Sequence, residues 1–122
     1  MTSNEQVSRF IRSSFRSVWS LEVLLLLKRA PRAWTGDEIV AALRASDLVV
    51  SQSVSALGDA GLVVTDAAGC TRYQPASDDA ARLVEEAERL YAGSPDAVRR
   101  LILGASAGGL AAFADAFRLR KD

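Results

Sequence analysis

The side chains best able to do chemistry in this chain are hydrogen-bonding groups gathered between Arg44 and Arg72. Ser46, Ser51, Gln52, Ser53 and Ser55 sit close together in sequence, with Arg44 just before them and Arg72 beyond them. Hydroxyls and a glutamine amide both donate and accept, and arginine adds a fixed positive charge. Such a set suits recognition of a polar surface rather than making or breaking bonds. The chain has no histidine, which removes serine and cysteine triads built on an imidazole base. Most zinc and facial-triad iron sites go with it, since one cysteine cannot replace the missing ligands.

The remaining candidates for catalysis are weak. Cys70 is the only cysteine, so no intrachain disulfide can form. Its nearest cation is Arg72, and it reads as an inert small residue rather than an activated thiol. Gly104 to Gly109, Gly-Ala-Ser-Ala-Gly-Gly, lacks the Gly-Lys-Ser/Thr ending of a phosphate-binding loop and reads as a flexible joint. No carboxylate pair stands out. The expectation is a non-enzyme without cofactor or metal.

Fifteen basic and fifteen acidic residues cancel over the whole chain, so no global basic field advertises nucleic acid. Their distribution is uneven. Residues 1–32 hold six basic and two acidic side chains, residues 33–96 hold four and eleven, and residues 97–122 hold five and two. Any basic patch therefore needs the two ends of the chain. Met1 to Arg16 has no apolar leader core. The longest apolar run, Val23 to Leu27, has five residues, far short of the ~20 that a membrane span needs. A cytoplasmic protein with no membrane contact is expected.

These side chains must be positioned by helices and a hairpin. Asn4 to Arg16 is amphipathic, with Val7, Phe10, Ile11 and Phe15 on one face and Arg9, Arg12 and Arg16 on another. Ser17 to Arg29 is apolar almost all round, which predicts a buried helix with Trp19 in the core. Pro31 ends it, and Ala33-Trp34 is a link or minimal strand. Thr35 with Glu38 is a capping box that starts a helix over Gly36 to Arg44. Ser46 can cap the next one, whose Val50, Val54 and Leu57 recur at helical spacing. Gly61 stops it by taking the left-handed conformation.

Leu62 to Thr65 and Cys70 to Gln74 read as two strands joined by a turn at Asp66 to Gly69. Ser77 caps a further helix, with acids in its first turn and a Glu85–Arg89 pair. Gly93 ends it, Pro95 opens another, and Leu110 to Lys121 reads as a last amphipathic helix.

The run Ser46, Val50-Ser51, Val54, Leu57 and Gly61-Leu62-Val63 follows a common pattern of one protein class. With the capped helix before it and the hairpin after it, residues 17 to 75 resemble bacterial winged helix-turn-helix transcriptional regulators of the MarR and ArsR kind. The resemblance implies a mainly α fold with a small β-hairpin wing, flanked by N- and C-terminal helices. The divisions are an N-terminal helix over 1–16, a winged helix-turn-helix over 17–76, and C-terminal helices over 77–122 that build a homodimer.

It further implies a DNA-binding regulator, with helix 46–60 in the major groove and hairpin 62–75 as wing. Arg44, Ser46, Ser51, Gln52, Ser53, Ser55 and Arg72 are then the DNA-binding residues. Serine and glutamine can bond base edges, and Val49 or Leu48 can meet a thymine methyl. The departure is charge, because Asp47 to Ala60 contains two acids and no cation. Phosphate contacts must then come from Arg44, Arg72, Lys28, Arg29, Arg32 and the N-terminal arginines. The alternative is a winged-helix module that binds a protein partner.

Overall fold

A computed structural model describes residues 4–104. Four helices come first: α1 (Asn4–Ser14), α2 (Val18–Arg29), α3 (Gly36–Leu43) and α4 (Asp47–Asp59). Strands β1 (Val63–Thr65) and β2 (Thr71–Tyr73) follow, then α5 (Asp78–Gly93), and residues 95–104 are helical again. The helix expected over 110–121, and all but Gly104 of the joint before it, lie outside the described residues. The fold is mainly helical with one small antiparallel hairpin, as the sequence predicts.

Helix boundaries follow local chemistry. Ser17, Ser46 and Ser77 stand just before α2, α4 and α5, and their hydroxyls accept from the N–H groups of Ser20, Val49 and Ala80. Each satisfies one of the amides that a helix start leaves without an internal acceptor. At α3 the capping box closes in both directions. Glu38 N–H donates to Thr35 Oγ1 at 3.1 Å, and Thr35 N–H donates to Glu38 Oε1 at 2.9 Å. That backbone bond holds the Glu38 carboxyl below its ordinary value, and Arg32 lowers it further. After α4, Gly61 adopts φ +75°, and Leu62 N–H reaches back to Leu57 O at 3.0 Å.

The hairpin pairs Val63 with Tyr73, Val64 with Arg72 and Thr65 with Thr71. Alternation puts Val63 and Thr71 inward, both almost fully buried, and Val64 and Arg72 outward. Its tip is closed by Asp66, whose Oδ1 accepts from Ala68 N–H at 2.9 Å and Cys70 N–H at 3.0 Å. Trp34 adds a further rung: its N–H donates to Thr71 O, and Thr71 N–H donates to Trp34 O, both at 2.8 Å. The ladder order is thus Trp34, β2, β1.

One hydrophobic core serves every described element. It runs from Ile11 and Phe15 through Leu24, Ile39 and Leu57 to Ile102. α2 lies at its centre, packed against α3, α4 and β2, which explains its nearly all-round apolar sequence. α1 packs on α5, and Val7, Val98 and Ile102 are buried within the single chain.

Two side chains differ from expectation. Trp19 is not core: it is 40% exposed, because position 19 lies at the start of α2 on the side that opens beside α4. Arg89 pairs with Glu86 at 2.7 Å rather than with Glu85, three residues apart being as near on a helix surface as four.

Candidate nucleic-acid interface

The turn from α3 to α4 spans Arg44, Ala45 and Ser46. Arg44 caps α3 in the left-handed region at φ 54°, a conformation that costs a non-glycine residue roughly 1–2 kcal/mol. Ala45 N–H donates to Val40 O at 3.2 Å, and Ser46 then starts α4. This short reversal leaves the Arg44 side chain exposed at the entry to α4.

α4 buries Val50, Ser53 and Leu57 and exposes Ser51, Gln52 and Ser55. Ser53 therefore corrects the sequence reading, which placed it among outward readers. It is only 3% exposed, because it lies three residues after Val50 and four before Leu57, in the middle of the packed stripe. A pattern reading that follows apolar side chains passes over a serine; the spacing of 50, 53 and 57 was the available signal. Ser46 is exposed, yet its hydroxyl is engaged by Val49 N–H at 3.1 Å. At the start of the helix, Leu48 is 66% exposed.

The exposed side of α4 and the beginning of α2 enclose an open cleft of about 580 Å³. Its walls include Trp19 and Ser20 on one side and Gln52, Ser55 and Asp59 on the other. The sequence offers Arg16 only as one of the N-terminal candidates for phosphate contact and places Trp19 in the core. Only the crossing of α2 and α4 brings them here.

The cations divide into two sets. Lys28 Nζ and Arg29 Nε lie 2.8 Å and 3.0 Å from the two carboxylate oxygens of Glu88. Arg32 lies 3.3 Å from Glu38, with its guanidinium 3.6 Å above the Trp34 ring. Arg9 pairs with Glu5. These charges are already answered within the chain. Arg12, Arg44, Arg72 and Arg100 form no ion pair among the described residues. Arg72 projects from the outward face of the hairpin beside Val64.

Among the described residues no group of histidine, cysteine and acidic side chains could hold a metal ion, and no helix is long and apolar enough to cross a membrane. No protein-family model matches the chain, and no curated protein or solved structure is significantly similar to it. The chemistry of this surface is that of hydrogen-bonding groups, exposed apolar side chains and two arginines with no ion-pair partner among the described residues.

Proposed function

We propose that this chain is a DNA-binding transcriptional regulator of the winged helix-turn-helix type, with α4 in the major groove and the β1–β2 hairpin as wing. The observation that carries the reading is the pair Arg44 and Arg72. Neither has an acidic partner among the described residues, one stands at the entry to α4, and the other lies on the outward face of the hairpin that follows. Intrachain carboxylates neutralise the competing cations Lys28, Arg29 and Arg32. The ladder of Trp34, β2 and β1 beside the α3–α4 pair supports the same architecture.

In this reading phosphates are held by arginines outside α4, and bases are met by Gln52, Ser51 and Ser55 through hydrogen bonds. A homodimer joined through its terminal regions reads two half-sites about one helical turn apart. Leu103, exposed on helix 95–104, is available to such an interface. Fluorescence anisotropy on genomic fragments at low ionic strength tests the proposal. Binding that weakens steeply with salt, and is lost in the Arg44→Ala/Arg72→Ala double variant, supports it. No salt-sensitive binding to any fragment overturns it.

A second reading, a protein-interaction module, is favoured by Leu48 and Trp19, both well exposed beside the acids Asp47 and Asp59. It predicts one partner whose capture is lost in Val49→Asp, with no affinity for DNA.

A further inference from the structure

Trp19 is the one large apolar side chain that α2 leaves well exposed, while Leu21, Leu24 and Leu27 of the same helix are fully buried. The two tryptophans of the chain contrast. Trp34 is 8% exposed, and its Nε1–H donates to Ala30 O at 3.0 Å. Trp19 is 40% exposed, and its Nε1–H has no acceptor among the described residues. A fold satisfies an indole by covering its ring and bonding its one polar atom. Trp34 has both and Trp19 has neither.

Its position says what would cover it. Trp19 lines the cleft between α2 and α4 together with Gln52 and Ser55, which are exposed on α4. A body docked on Gln52 and Ser55 therefore also meets the indole. The only charged side chains on the cleft walls are Arg16 and Asp59. They are of opposite sign, so the cleft does not select an ion. Its walls are mostly hydroxyl and amide groups, unlike the dry apolar pocket that anchors a protein hot spot. What fits is a neutral group with an apolar face and oxygen atoms at its edge. Along a DNA strand that group is the deoxyribose, between the phosphate and the base.

We propose that Trp19 is a DNA contact, its indole packing on a backbone deoxyribose while α4 lies in the major groove. The proposal rests on the function proposed above and adds to it a contact of a different kind. Arg44 and Arg72 act through charge. Trp19 acts by taking apolar surface out of water, so its share of the affinity depends on neither salt nor base sequence.

Acrylamide quenching of tryptophan fluorescence tests this on the full chain, with and without a genomic DNA fragment. In the free protein Trp19 is the accessible fluorophore and Trp34 the shielded one. DNA is expected to bring the quenching constant down to that of the Trp19→Phe variant, which keeps only Trp34, and to leave that variant's own constant unchanged. By fluorescence anisotropy, Trp19→Ala is expected to bind every sequence about tenfold more weakly, the scale of one half-exposed aromatic contact. The slope of log affinity against log salt should not change, because no phosphate contact is lost. Circular dichroism checks that Trp19→Ala is folded, and quenching of the parent protein decides the question without it.

If DNA binds with steep salt dependence while Trp19 stays fully quenchable, the contact is refuted and the DNA-binding function stands. If Trp19→Ala lowers the salt slope, the indole acts by placing a phosphate contact, and the proposal is overturned. If no fragment binds, the contact and the function fall together. Shielding of Trp19 by a protein partner in that case assigns the cleft to the second reading.

Discussion

Lys28 Nζ lies 2.8 Å from Glu88 Oε1, tying α2 to α5 across sixty positions of sequence. Both side chains are about one-fifth exposed, so the pair is more shielded than an ordinary surface ion pair, and Arg29 secures the second carboxylate oxygen. The Lys28 hydrogen bond, with help from Arg29, holds the Glu88 carboxyl below its ordinary value of 4.5 against the opposing effect of burial.

A carboxyl whose pKa is lower in the folded state contributes stability above its unfolded value and loses it as pH falls through the folded value. Glu88→Gln is therefore expected to unfold more easily than the parent by about 1–2 kcal/mol at pH 7, the range for a hydrogen bond to a charged group discounted for residual solvent. The difference should shrink steadily as pH falls below 4.5. Urea unfolding at pH 7, 5, 4 and 3 reads both quantities. A gap that stays constant down to pH 3 would show that the ion pair is not its source.

Ser46 serves α4 through its cap. Its hydroxyl accepts from Val49 N–H, and an alanine there removes that acceptor at a cost of about 1 kcal/mol. Ser46→Ala is expected to lower stability by that amount, while Ser46→Asp, which caps as well, should keep it. If Ser46 acts only by capping, DNA affinity measured well below the melting temperature changes little in Ser46→Ala. A loss of tenfold or more, with the fold intact, would assign the hydroxyl a direct contact.

The contrast between Ser46 and Ser53 shows what was legible in the chain. A cap is local: Ser46, Thr35 with Glu38, and Ser77 each act within three or four residues, so their roles can be read from spacing alone. Gly61 is legible for the same reason. The role of Ser53 depends on which side of α4 meets α2, and the exposure of Trp19 depends on that same crossing. Glu88 answers Lys28 and Arg29 from a distant helix, so no local pattern could remove those cations from the list of phosphate contacts. The Trp34–Thr71 rung likewise needs the hairpin folded back on the link before α3. Helix order and hairpin were thus readable, whereas the division between engaged and available charge was not.

Gly61 is held at φ +75°, and a Cβ there would lie 3.3 Å from the Cβ of Ala76. Its carbonyl also accepts from Ala76 N–H at 2.8 Å, so the junction after α4 and the exit from the hairpin are fastened together. Gly61→Ala is expected to destabilise by about 1–2 kcal/mol from the left-handed backbone alone, with the tight contact adding to it. Thermal unfolding should show a fall of several degrees, about 4–8 °C per kcal/mol for a domain near this size. Gly58→Ala is the matched control: it lies inside α4, where a Cβ meets nothing within 4 Å, and it should stabilise the helix by up to about 1 kcal/mol. Equal melting temperatures for the two variants would contradict the backbone argument.

Gln52 and Arg72 should fail in different ways if α4 reads bases and the hairpin holds phosphates. Gln52 is exposed on α4 without a cationic neighbour on that helix, so its contribution is hydrogen bonding to a base edge. Gln52→Ala should cost about 1–3 kcal/mol on the preferred sequence and relax discrimination at one base position, with the salt dependence unchanged. Arg72 is exposed and has no acidic partner among the described residues. Arg72→Ala should weaken all sequences alike and reduce the salt slope by about 0.9. Arg32 is the internal control, because Glu38 and the Trp34 ring already engage it. Arg32→Ala should lower stability through the start of α3 and leave the salt slope where it was. If Arg32→Ala instead lowers the slope as much as Arg72→Ala, the protein holds DNA through another face and α4 is not its reading helix.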